Sequence, residues 1–271
     1  MSENTNKPLV SVLMAVYNCS ETLEEAVQSI INQTYTNWEL ILCDDASTDD
    51  TYKKSLELSK KDSRIKVLKN DKNLTLAPSL NKCLENANGT YTARMDGDDV
   101  CDPTRFEKEV NFLETHPEFA VVSCNMDLYD NEGTYGQVKF VEYPEKIDFS
   151  TASPICHAGC MMRKKVLEEL GGYDISPKTE RIEDYDLWIR LYLAGYKAHN
   201  IQEYLYSMRD DRNALKRKKF KFRLTEYRLR ANMCKSFNLP LKCRIMAFKP
   251  IILGLMPSFI YSALHKAAYK K

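Results

Sequence analysis

The residues of this sequence best equipped for chemistry are carboxylates. They fall into three short groups, Asp44-Asp45, Asp96-Gly97-Asp98-Asp99 and Glu183-Asp184, and the first two each follow directly on a short apolar run. Carboxylates gathered at one place repel one another unless a cation or hydrogen-bond donors neutralise them. A divalent metal is the economical neutraliser, because hard cations prefer oxygen ligands. Other site chemistries are poorly supported. No GxGxxG follows the first apolar run and no GxxxxGK[ST] occurs anywhere, which argues against a dinucleotide site and a P-loop. The nine cysteines are scattered with no CxxC pair, so zinc is not indicated and reduced, mostly buried thiols are expected.

The elements that must position these groups can be read from periodicity. Leu9 to Val16 is an apolar run, followed by Leu23, Ala26, Val27, Ile30 and Ile31 at helical spacing, with Thr22 and Glu25 at capping-box spacing. Further strands are expected at Trp38 to Cys43, Ile65 to Leu68 and Tyr91 to Met95, with helices at about Asp49 to Lys60 and Leu76 to Glu85. Strands alternating with helices in this way imply a Rossmann-like, mostly parallel α/β sheet with flanking helices. Ligands of such sheets bind beyond the carboxyl ends of the strands, where Tyr17-Asn18, Asp44-Asp45 and Asp96 to Asp99 all fall. Beyond Pro103 come a helix (Arg105 to Glu114), a strand (Ala120 to Cys124) and a hairpin around Asn131-Glu132-Gly133, so that part of the sheet becomes mixed. The loop carrying His157 leads to Cys160-Met161-Met162 and a helix stopped by Gly171-Gly172. Glu183 then opens a helix ended by Gly195. Ser47 or Asp49 is expected to cap the second helix, and Asp99 the helix after Pro103.

The net charge of +1 hides an asymmetry. Residues 209–271 hold 17 basic and 3 acidic residues, a net +14, whereas residues 1–208 hold 22 basic and 35 acidic, a net −13. The chain divides on this basis into an acidic body, 1–208, and a helical, basic and amphipathic extension, 209–271. Helix-prone sequence from Arg212 to Arg230 is interrupted at Pro240, and the apolar runs Ile251 to Met256 and Phe259 to Leu264 are broken by Pro257. Those runs are shorter than the roughly 20 residues needed to span a bilayer and suit an interfacial contact with an anionic membrane better. Nucleic acid is not expected, since no recognisable DNA- or RNA-reading motif accompanies the charge. The polar segment Met1 to Pro8 has no signal-peptide core. The expected location is cytoplasmic, peripheral on the inner face of the cell membrane.

In this order, Ser11 to Asn18, Asp44 to Asp49, Asp96 to Asp99, Gly171-Gly172-Tyr173-Asp174 and Glu183 to Trp188 carry a resemblance. Over roughly Leu9 to Tyr206 the chain resembles family 2 glycosyltransferases of the GT-A fold. The resemblance implies transfer of a single sugar from a nucleotide-sugar donor, a UDP-sugar by expectation, with inversion at the anomeric carbon. Its DxD motif maps onto Asp96 and Asp98, implying that Asp98 contacts Mn²⁺ or Mg²⁺ and Asp96 the ribose or a metal-bound water. Asp44 and Asp45 fall where the family binds the base, with Tyr17 along it, and Ala15 stands where the family often has Pro or Thr. The ED motif maps onto Glu183-Asp184, making Asp184 the general base that takes the acceptor's proton. Trp188, on the same helix face, is expected on the acceptor platform with Glu183, and His157 near the diphosphate or acceptor. Arg94 either contacts donor phosphates or pairs with the aspartates. The QxxRW motif of processive synthases is absent. Such relatives often extend glycans on polyprenyl-diphosphate carriers in cell-surface polysaccharide synthesis. Two readings compete: a catalytically silent nucleotide-sugar-binding partner of another transferase, and a sugar nucleotidyltransferase. The latter would need a Gly-rich basic loop that Asn18 to Glu25 does not offer.

Overall fold

The computed structural model describes residues 7–209 and 220–255. Four parallel strands form the first half of a single sheet: β1 (Val10–Val16), β2 (Trp38–Asp44), β3 (Ile65–Lys69) and β4 (Tyr91–Arg94). Helices α1 (Leu23–Ile31), α2 (Thr51–Lys61) and α3 (Leu76–Glu85) connect them. Strands β1 and β2 read as apolar runs broken only by Ser11 and by Glu39 and Asp44, because both sheet faces are covered there, whereas β3 at the sheet edge is only partly buried. Along β1, Val10, Val12, Met14 and Val16 enter one core cluster and Leu13 the other, the alternation that a pleated strand imposes.

The mixed half is built from β5 (Val100–Cys101), β6 (Val121–Asp130), β7 (Gly133–Val138), β8 (Met161–Arg163) and β9 (Ala198–Arg209). Helices α4 (Arg105–Thr115), α5 (Lys164–Glu169) and α6 (Glu183–Leu193) lie between them, with a single 3-10 turn at Asp148–Ser150. Strand order across the sheet is β3-β2-β1-β4-β8-β6-β9-β5, with β7 pairing β6 as the expected hairpin. Strand β8 runs antiparallel to β4 and β6, while β9 runs parallel to β6 and antiparallel to β5. Neither β5 nor β9 was expected from the sequence pattern. Both matter for the site, because their pairing sets Val100 opposite Ser207 just after the Asp96–Asp99 turn.

Two expected caps do not form. Thr22 is the N-cap of α1, but its hydroxyl donates to Gly97 O at 3.0 Å instead of capping the helix. Asp99 does not cap the helix after Pro103, where Asp102 accepts from the Thr104 N–H at 2.8 Å. At α2, Asp49 accepts from the Thr51 N–H at 3.0 Å, while the Ser47 hydroxyl instead accepts from the Asn18 N–H.

The basic extension is partly built into the body. Arg209 is the last residue of β9, and the segment after it lies outside the described residues until α7 (Phe220–Ser236), α8 (Leu241–Met246) and α9 (Lys249–Leu255). Met233, Cys234, Phe237, Leu239, Cys243 and Ala247 share one buried cluster with Leu187, Trp188 and Phe149. The apolar run expected at Phe259 to Leu264 also lies outside the described residues. All nine cysteines are free, and eight are buried.

Candidate active site

The carboxyl ends of β1, β2 and β4 meet at one sheet edge, as the parallel register requires. A cavity of about 910 Å³ opens there, between the segment 73–78, which runs into the start of α3, and the loop 174–181. Of the expected donor residues, Ala15, Tyr17 and Asp45 line it, and of the residues expected on the acceptor side Glu183 does. Tyr17 is about half exposed, so one ring face is free to lie along a planar ligand.

Asp45 also shapes its own wall. Its carboxylate accepts from the Leu74 N–H and the Asn70 side-chain amide on one oxygen and from the Thr75 N–H on the other, all at 2.7–2.8 Å. A carboxylate has about four lone-pair sites, so one remains for a ligand. Asp44 is fully buried. One of its oxygens accepts from the Ser47 N–H at 3.2 Å and the other has no hydrogen-bond partner, a costly state for a buried carboxylate oxygen.

The turn after β4 holds the second aspartate pair. Gly97 is required there by space, since an added Cβ would stand 2.7 Å from Val16 Cγ1 and 3.0 Å from Cys19 Sγ. Of the two roles expected for Arg94, the structure has the pairing with the aspartates. Its guanidinium is buried, donates to Asp96 Oδ1 at 2.5 Å and also bonds Met95 O. Burial disfavours the guanidinium charge, but Asp96 together with Tyr173 and Tyr206 more than offsets this and the Arg94 pKa is raised. Asp98 is exposed, yet desolvation over the turn and then repulsion from Asp96 raise its pKa. Two residues missed in the sequence fix this turn from behind. Tyr206 donates to Asp99 Oδ2 at 2.7 Å and accepts from the Asp96 N–H at 3.3 Å, while Asp99 Oδ1 accepts from the Arg209 N–H at 2.7 Å.

No group of three or more His, Cys, Asp or Glu among the described residues is arranged to hold a metal. Asp96 keeps one oxygen beyond its Arg94 bond, and the Asp98 carboxylate faces solvent. A Mg²⁺-type ion that shares a substrate diphosphate takes only one or two protein carboxylates. The donor set fits that arrangement and does not fit an all-protein cage.

Glu183 and Asp184 open α6. Burial pushes the Glu183 carboxyl up to about 6, with Asp184 adding to the shift. Burial also raises Asp184, helped by the charge of Glu226 on α7, while the N–H groups of the helix start and the Arg94 charge oppose the rise. Arg94 acts in the same direction on Asp98, Glu183 and Asp184, so one buried cation lies electrostatically between the two carboxylate groups.

Two expected site residues are placed elsewhere. Trp188 is fully buried, because its position on α6 points it into the core shared with α7, and it forms no acceptor platform. His157 does not line the cavity. Its Nε2 lies 2.9 Å from the Tyr173 hydroxyl and its ring meets Trp188 edge-on at 5.9 Å. Burial and then Arg94 hold it well below the usual histidine pKa, which favours the neutral ring.

The mostly parallel sheet with flanking helices, its β1 and β2 ends opening on the cavity, can be set against known proteins. Residues 11–171 match the family model described as "Glycosyl transferase family 2". The chain is 42% identical over 260 residues to EpsE of Bacillus subtilis (strain 168), covering 96% of this chain and 94% of that protein. It is 34% identical over 192 residues to the UDP-Glc:alpha-D-GlcNAc-diphosphoundecaprenol beta-1,3-glucosyltransferase WfaP of Escherichia coli, covering 71% of this chain and 73% of that one. The fold is shared with S. aureus TarS 1–349 in complex with UDP-GlcNAc, with a TM-score of 0.68 at 18% identity over 94% of this chain and 74% of that one. The chain therefore belongs to glycosyl transferase family 2 and is an enzyme of that type.

Proposed function

We propose that this chain transfers one sugar from a UDP-sugar to a hydroxyl of a lipid-linked glycan, inverting the anomeric centre, with Asp184 as general base. The observation that carries the reading is the cavity itself, with Tyr17 and Asp45 on one wall and Glu183 on the other, and Arg94 electrostatically coupling Asp96–Asp98 to Glu183–Asp184. Tyr17 would lie along the base and the remaining lone pair of Asp45 would accept its imino N–H. Asp98 and Asp96 would hold a divalent ion, which when bound supplies positive charge to the leaving diphosphate. The acceptor hydroxyl would lie against Asp184, whose pKa burial raises, making it a stronger base than an ordinary aspartate. Names of relatives such as WfaP, an enzyme of a diphosphoundecaprenol acceptor, support the lipid-linked class. The test is hydrolysis of a panel of UDP-sugars with Mn²⁺ or Mg²⁺. EDTA should abolish turnover, and Asp98→Ala should lower it by at least about 10²-fold. Metal-independent turnover by both proteins would defeat the assignment.

The body, 1–208, would carry the transfer and the helices beyond Arg209 the attachment to an anionic inner membrane face. No helix among the described residues is long and apolar enough to cross a membrane. Leu241, Ile245, Phe248, Ile252 and Leu255 are all exposed on α8, α9 and the turn between them, beside Lys242, Arg244 and Lys249. Apolar anchors with interleaved cations are the pattern of an interfacial contact, each cation contributing about 1 kcal/mol near an anionic surface. Replacing Ile245, Ile252 and Leu255 together by Asp should release the protein from phosphatidylglycerol-containing liposomes while UDP-sugar hydrolysis persists. Equal co-sedimentation of variant and wild type would exclude this face.

A further inference from the structure

We propose that Arg181, supported by Lys221 of α7, is a phosphate-binding subsite for the acceptor, taking the diphosphate of a lipid-linked glycan. Arg181 is an exposed residue that lines the cavity three positions before Asp184. Its backbone is left-handed, with φ of 66°, a conformation that side-chain-bearing residues seldom adopt and that concentrates at functional sites. Its guanidinium stacks over the Phe222 ring at 5.1 Å and has no carboxylate partner among the described residues. The neighbouring Glu180 carboxylate is held by Lys221 Nζ at 3.6 Å. An arginine held against an aromatic ring at a cavity mouth, with no carboxylate partner among the described residues, is suited to bidentate recognition of phosphate oxygens.

The surroundings favour the acceptor's phosphates over the donor's. The donor diphosphate belongs with Asp96 and Asp98 at the end of β4, whereas Arg181 shares its loop with the start of α6. Helix α9 turns back onto this same corner: the Cβ position of Gly254 lies 3.0 Å from the Phe220 ring and 3.1 Å from Arg223 Cγ. The exposed Ile252 and Leu255, at 61% and 72%, therefore flank the end of α7 that carries Lys221 and Phe222. Apolar surface beside the Arg181 guanidinium, at the mouth of a sugar-transfer cavity, matches the junction between a prenyl chain and its diphosphate.

The inference rests on the transferase reading of the cavity, and the test separates the two. Full-length protein is titrated calorimetrically with UDP plus Mn²⁺, and then, with that site saturated, with farnesyl diphosphate or farnesol. Wild type should bind farnesyl diphosphate better than farnesol. Arg181→Gln should weaken farnesyl diphosphate on the order of tenfold, Arg181→Lys should recover part of that loss, and UDP–Mn²⁺ binding should be the same in all three. Equal farnesyl diphosphate binding by wild type and Arg181→Gln overturns the subsite. So does a loss confined to UDP–Mn²⁺, which would hand Arg181 to the donor, and so does wild type that binds UDP–Mn²⁺ but not farnesyl diphosphate. Wild type that fails to bind UDP–Mn²⁺ defeats the underlying reading of the cavity instead.

Discussion

Asp184→Asn is expected to lower kcat by about 10²- to 10⁴-fold, the range spanned by general acid–base catalysis. The amide keeps the shape of the carboxylate and its place at the start of α6, so donor KM and Tm should change little. The pH profile gives a second readout. A base must be deprotonated to act, and burial raises the Asp184 pKa from its ordinary value near 4. In the wild type, kcat/KM should therefore fall as pH drops, with the acid limb above the ordinary aspartate range. Glu183, pushed up to about 6, titrates beside it, so the limb belongs to the pair. The variant should lose the Asp184 part of that limb. Full activity with an unshifted profile would remove Asp184 from the mechanism.

The second large effect is expected at Arg94→Met. The guanidinium is almost fully buried, and removing it leaves Met95 O without its donor and Asp96 without its cation. One buried acceptor left unpaired costs about 1–3 kcal/mol, while Asp96, about one-third exposed, can recover some hydration. Folding should survive and activity should not. Asp98, Glu183 and Asp184 all lose an interaction that lowers their pKa values, so the acid limb should move to higher pH as kcat falls by on the order of 10². Arg94→Lys should restore the position of the limb more fully than it restores kcat, because it returns charge without the forked geometry. A variant that loses only thermal stability, with its pH profile unmoved, would show that Arg94 is structural.

Much of this site could be read before any coordinates, and the unread parts have physical reasons. Strands β1 and β2 announced themselves because burial on both faces leaves mostly apolar residues, and the parallel register then carried Asp44-Asp45 and Asp96–Asp99 to one edge without further information. Strand β9 was hidden because His199, Asn200, Gln202 and Glu203 interrupt any run, and β5 because two residues carry no pattern. Helical spacing places Trp188 on the face of Asp184, but it does not say whether that face meets ligand or protein. The residue is buried because α7 packs there. Asp99 and Thr22 looked like caps for lack of any local sign of their partners, which lie 107 and 75 positions away. Arg181 sits in a polar loop with no periodicity, and left-handed backbone at a non-glycine residue leaves no mark in sequence.

The buried cluster that joins α6 to α7 and α8 also bears on how members of this family can be recombined. A basic extension attached by a free linker could be exchanged between relatives like a handle. Here Met233, Phe237 and Leu239 share the buried cluster of Trp188, on the helix whose first turn holds Asp184, so a transplanted extension would have to bring complementary side chains with it. Grafts that match only length and charge should give insoluble or inactive chimeras. New acceptor preferences would then arise through paired changes on both sides of that seam, and not by wholesale exchange of the C-terminal helices.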